Sequence, residues 1–167
     1  VALHGSPPDR RTYFVGTTEG IFKSDDGGRT FLAKTAGLPV GKQITGFAGG
    51  SNKKVTVLYA AMPCWLEESR LAGGVYVTYD GGAAWQPLFP EDSTRRWAPA
   101  DVRSVLFDSL GRLWFASPQG TGCLSGGWTL YTGREGLPYN DFTSMAAGTD
   151  GAVYFGPYPS ATEARRT

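Results

Sequence analysis

The 167-residue chain carries a net charge of +1, from sixteen Lys and Arg against fifteen Asp and Glu, and its basic residues never run longer than a pair, which leaves no electrostatic case for nucleic acid. No window approaches the roughly 18 apolar residues of a spanning helix, so membrane insertion is not expected. His4 is the single histidine, so a metal site built on two or more histidines would need other chains.

Twenty-four Gly and eleven Pro beside five Trp, eight Tyr and nine Phe favour short, aromatic-rich strands joined by tight turns. The chain opens Val1-Ala2-Leu3-His4, without Met or a signal peptide, as a processed or excised chain would. Tyr13–Thr17, Gly20–Ser24 and Thr30–Ala33 read as three strands. Ile44–Ala48, Val55–Ala61, Gly74–Thr78 and Ala84–Leu88 read as four more, with Met62 to Arg70 as a long turn. Val102–Phe107, Arg112–Ala116, Gly122–Ser125 and Trp128–Tyr131 form a third group. Phe142–Ala146 and Ala152–Phe155 begin a fourth. Cys64 and Cys123 leave two readings open, buried free thiols or a disulfide.

Two internal repeats organise these strands. Gly20 to Phe31 aligns without a gap with Gly74 to Trp85, sharing Ser/Thr-x-Asp-x-Gly-x-(Thr/Ala)-aromatic. Val102-Arg103-Ser104-Val105 with Gly111 to Ala116 aligns with Phe142-Thr143-Ser144-Met145 and Gly151 to Gly156, about 40 residues on, the length of one propeller blade. The expected fold is all-β: one β-propeller domain over 1–167, of four-stranded antiparallel blades. The blade units lie near 12–36, 43–89, 101–132 and 141–157, followed by a polar tail, 158–167. Three to four blades are too few for a large ring. Either the end units join into one mixed blade and close a small ring, or the propeller is partial and is completed by self-association, by a partner chain or by missing sequence.

Ser24-Asp25-Asp26-Gly27-Gly28-Arg29-Thr30-Phe31 and Thr78 to Trp85 resemble the Asp-box, or BNR, repeat of sialidases, xyloglucanase-type glycosidases and sortilin-type receptors. Gly111 to Ala116, Trp128 to Tyr131, Gly136 to Asp141 and Gly151 to Gly156 resemble the propeller repeats of periplasmic two-component sensors. The resemblances imply a secreted or periplasmic setting and no cofactor. They assign Ser24, Asp26, Gly28, Thr30 and Phe31, with Thr78, Asp80, Gly82 and Trp85, to turn structure, since a turn Asp accepts from nearby backbone N–H groups while Gly takes positive φ.

In a four-stranded meander the Asp-box turns lie at one end, so a binding mouth is expected at the other, where second turns and inter-blade links converge. Trp65, Glu67, Glu68, Arg70, Arg95, Arg96, Trp97, Tyr139 and Asp141 are the binding candidates there, because an aromatic beside carboxylates and arginines suits a sugar or a protein ligand. No catalytic residue is identified. A glycosidase needs two carboxyl groups facing across a pocket, and neither an Arg-Ile-Pro motif nor a coherent sialidase set is present. A non-catalytic recognition or scaffold module binding carbohydrate or protein is the primary reading. A glycoside hydrolase, or a fragment of one, is the alternative, and an extracytoplasmic sensor domain the second alternative.

Overall fold

A computed structural model describes residues 12–51, 56–88 and 101–157. Alternating apolar side chains separated by Gly-containing turns fold these residues into four antiparallel sheets. The first orders β1 (Tyr13–Thr17), β2 (Gly20–Ser24) and β3 (Leu32–Ala33). The second orders β4 (Gly46–Ser51), β5 (Thr56–Glu67), β6 (Arg70–Thr78) and β7 (Gln86–Leu88). The third runs β8 (Ser104–Phe107), β9 (Leu113–Ser117), β10 (Gly120–Leu124) and β11 (Trp128–Tyr131), and the fourth pairs β12 (Phe142–Ala147) with β13 (Val153–Pro157). One 3-10 turn, Gly133–Glu135, interrupts the strands. Each sheet is a meander in sequence order, and β4, β8 and β12, the first strands of successive blades, pack beside one another. This is a propeller arrangement.

Strand alternation sends one face of each blade to each neighbour. Phe14 and Ile21 of the first blade meet Leu58, Ala60, Tyr76 and Trp85 of the second. The other face of the second blade, with Tyr59, Ala61, Val75 and Val77, packs on Val105, Leu113, Phe115 and Leu130 of the third. Trp114 of the third blade then meets Phe155 of the fourth, ring centroids 5.8 Å apart. The core is therefore a series of joints between blades.

The structure differs from the sequence reading at Met62 to Arg70. No long turn lies there. β5 continues to Glu67, β6 starts at Arg70, and Glu67 pairs with Arg70 across a two-residue tip. Glu68 and Ser69 both take positive φ, 46° and 68°, the geometry of a type I′ hairpin turn, whose twist matches its strands. A bulge between Met62 and Trp65 bends this arm. The expected strands near Ile44 and Thr30 begin later, at Gly46 and Leu32, and Val55 lies outside the described residues.

The two Asp hairpins close the end opposite the arm. Asp26 Oδ1 accepts from the Ser24 hydroxyl at 2.8 Å and from the N–H groups of Arg29 and Thr30 at 2.9 Å, while Oδ2 accepts from the Thr30 hydroxyl at 2.6 Å. Asp80 Oδ1 accepts from the Thr78 hydroxyl at 2.6 Å and from the N–H groups of Ala83 and Ala84. In each turn the same hydroxyl accepts from the glycine two residues past the Asp, Gly28 or Gly82, whose φ of 91° or 93° suits only glycine. These bonds hold both carboxyls below the ordinary range, led by the Thr30 hydroxyl at Asp26 and the Thr78 hydroxyl at Asp80. The aromatics that follow differ. Trp85 is 4% exposed against the first blade, whereas Phe31 is 43% exposed, because among the described residues no blade precedes the first to receive it. Phe31 thus stays partly exposed beside its turn, unlike Trp85.

Candidate functional site

The end away from the Asp hairpins gathers the residues that begin each first strand and those of the β5–β6 arm. The bulge in β5 lifts the Cys64 N–H out of the ladder, and it donates to Asp101 Oδ1 at 3.2 Å. Asp101 Oδ2 accepts from Arg103 Nε at 3.2 Å, and Arg103 Nη1 donates to Asp141 Oδ1 at 2.6 Å. Asp101 and Arg103 lead into β8 and Asp141 leads into β12. Arg103 therefore ties the third blade to the fourth, and Asp101, through the Cys64 N–H, ties the third to the second. The Arg103 side chain is 27% exposed, between carboxylates 34% and 46% exposed, so the network is a solvent-facing floor. The Thr45 hydroxyl, just ahead of β4, donates to the carbonyl of Val102 at 2.8 Å, a second tie between the second and third blades.

Trp65 borders this floor. Lys42 Nζ sits 5.0 Å from its ring centroid, a cation-π contact that covers one face of the indole. The indole body packs on the joint between the first two blades, and its buried N–H has no acceptor among the described residues. On the far side, the link from β11 to β12 is shaped by a capping box at Thr132 and Glu135 and by the Gly133 N–H donating to Asn140 at 2.8 Å. Tyr139 is exposed on that link. The Cys64 thiol is pushed up by burial and by the charge of Asp101, and both Cys64 and Cys123 are free thiols.

Of the residues singled out from the sequence, Trp65 and Asp141 lie in this network or at its border. Glu67 and Glu68 stand exposed at the tip of the arm, and Tyr139 lies on the neighbouring link. Arg70 starts β6, but its side chain lies outside the described residues, as do Arg95, Arg96 and Trp97 entirely. The sequence reading missed Lys42, Asp101 and Arg103 as site residues. Extending the alignment of Val102–Val105 with Phe142–Met145 back by one residue pairs Asp101 with Asp141, and that signal would have found the carboxylates. Among the described residues no group of three His, Cys, Asp or Glu could hold a metal ion, and no helix is long and apolar enough to cross a membrane.

No family model and no curated protein matches the chain. Among solved structures it is similar to one described as YCF48 bound to D1 peptide, with a TM-score of 0.53 and 17% sequence identity over 90% of this chain. The chain spans 44% of that structure's length. At this identity the likeness is one of fold, and it agrees with the all-β, propeller-type arrangement of the blades.

Proposed function

We propose that the chain is a non-catalytic propeller recognition module of the Asp-box type, which holds a protein segment across the mouth floored by Asp101, Arg103 and Asp141. The observation that carries this reading is the Arg103 bridge. Together with the Cys64–Asp101 bond it links three blades in one geometry and presents hydrogen-bonding groups to solvent at their junction, as suits an extended chain lying across several blades. The solved structure of similar fold holds a peptide, which supports a peptide over other ligands.

Two features weigh against the alternatives. A glycosidase needs open space between its two carboxyl groups for the sugar and its water, and here a guanidinium fills the space between Asp101 and Asp141. Sugar binding by stacking needs a free aromatic face, and Lys42 covers one face of Trp65. The sensor-like motifs from Gly111 to Gly156 stay within the proposal, since a sensor domain is a recognition module joined to a signalling element.

Selection of a phage-displayed random peptide library against the immobilised chain, beside a glycan array, tests this. The expected result is enriched peptides whose affinity falls about tenfold or more in Arg103→Ala, the scale of losing a central charged contact. Leu110→Ala, exposed at the opposite end, should leave affinity unchanged. Glycan binding without peptide binding, or peptides indifferent to Arg103, would overturn it.

A further inference from the structure

Two of the links that border the mouth are one motif used twice. Gly37-Leu38-Pro39-Val40-Gly41-Lys42, which leads from β3 toward β4, aligns without a gap with Gly136-Leu137-Pro138-Tyr139-Asn140-Asp141, which leads from β11 into β12. Both open on a glycine of left-handed backbone, φ 86° at Gly37 and 91° at Gly136, so the match of sequence is also a match of turn geometry. Each link then shows an exposed apolar residue, Val40 at 95% and Tyr139 at 51%, and shortly after it a charge. The charges are opposite: Lys42 on one link, Asp141 on the other.

Each charge keeps a side for a ligand. Among the described residues no carboxylate pairs with Lys42, Glu67 and Glu68 of the arm tip included, and its ammonium rests on the Trp65 ring. Beside it the buried Trp65 N–H has no acceptor among the described residues, and both oxygens of Asp101 are occupied, by the Cys64 N–H and by Arg103. That corner holds donors and lacks acceptors. The indole fixes the ammonium and shields one side of it from water, which makes an ion pair formed there stronger than one on open surface. Asp141 is the reverse case. Its Oδ1 accepts from Arg103, no described residue donates to its Oδ2, and the side chain is 46% exposed.

We infer that the mouth selects a peptide segment with an acidic residue for Lys42 and, in one fixed direction along the segment, a basic residue for Asp141, with apolar side chains beside them on Val40 and Tyr139. The inference rests on the recognition reading above and adds to it the chemistry and direction of the segment. Opposite charges on the two links set that direction, because the reversed segment brings like charges together.

Selection of the random peptide library on the wild-type chain, on Lys42→Glu and on Asp141→Asn tests it, each variant first checked for wild-type circular dichroism. Peptides enriched on the wild type should carry Asp or Glu and Lys or Arg in one constant order. On Lys42→Glu the acidic residue should give way to Lys or Arg at the same place, and on Asp141→Asn the basic residue alone should lose its enrichment. In a synthetic copy of the best wild-type peptide, replacing the acidic residue by its amide should weaken binding to the wild type about tenfold and leave binding to Lys42→Gln nearly unchanged. This double-mutant cycle decides the matter even where Lys42→Glu does not fold. Enriched peptides that depend on Arg103 but lack the charge order, or whose acidic residue shows no coupling to Lys42, overturn the inference and leave the recognition reading standing. Enrichment of no peptide at all overturns both.

Discussion

The indole N–H of Trp85 donates to the carbonyl of Lys34 at 2.8 Å, fastening the Asp hairpin of the second blade to the strand that ends the first. The Trp85 backbone N–H donates to Ala36 at 2.9 Å, and Gly37 lies so close to the Trp85 carbonyl that a Cβ there has no room. Trp85→Phe keeps an aromatic but removes the donor from a part-buried carbonyl. The expected cost is about 1–2 kcal/mol, read as a lower urea midpoint with an unchanged slope.

Acid stability follows from the turn carboxylates. Asp26 and Asp80 are held below their ordinary value of 3.8 by hydrogen bonds. At Asp108 burial works the other way, but the Arg112 N–H, the Trp114 indole and the Arg112 guanidinium outweigh it and the net direction is also down. With folded values lowered, the unfolded chain binds more protons in the window below 3.8. The stability from these groups is thus fully present above that value and is lost as pH falls through the lowered ones. Unfolding free energy measured from pH 6 to pH 2 should fall below about pH 4, and less steeply in Asp26→Asn/Asp80→Asn. Parallel acid limbs in the two proteins would contradict this assignment.

Asp108 is the most buried carboxylate of the described residues, 5% exposed. It accepts from the N–H groups of Leu110 and Arg112, from Arg112 Nε at 2.6 Å and from Trp114 Nε1 at 2.9 Å. Asp108→Ala leaves several donors without an acceptor and a cation without its partner. The expected loss is about 3–5 kcal/mol, larger than for any exposed carboxylate, and chemical denaturation measures it.

The arm tip carries two residues in a conformation that suits Asn and Gly. Glu68→Asn/Ser69→Gly should relieve left-handed strain at both positions and raise stability by about 1 kcal/mol. Thermal unfolding of the pair reads this, and an unchanged or lowered midpoint would mean that the Glu68 and Ser69 side chains stabilise the tip in another way.

The blades were legible because their causes are local. Strand alternation, Gly at turns and the Ser/Thr-x-Asp pattern act within a few residues, so the hairpins around Asp26 and Asp80 follow from neighbours in the chain. The arm was not, because Met62 to Arg70 contains Pro63 and no Asn-Gly, and only the pairing with Leu71 and Ala72 across the bulge makes it a hairpin. The mouth was half legible. Trp65 and Asp141 stand out by type, but Arg103 joins Asp141 across 38 residues, a distance that only the stacking of blades closes. Phe31 shows the limit of the repeat itself: its sequence equals that of a buried site, and its exposure depends on which blade lies beside it.

The most direct test of the recognition reading is a titration of the uniformly 15N-labelled chain with its best selected peptide, followed residue by residue by NMR. The account predicts that shifts concentrate at Lys42, Cys64, Trp65, Asp101 to Arg103 and Tyr139 to Asp141. Shifts centred on the Asp26 and Asp80 hairpins, at the opposite end, would contradict it.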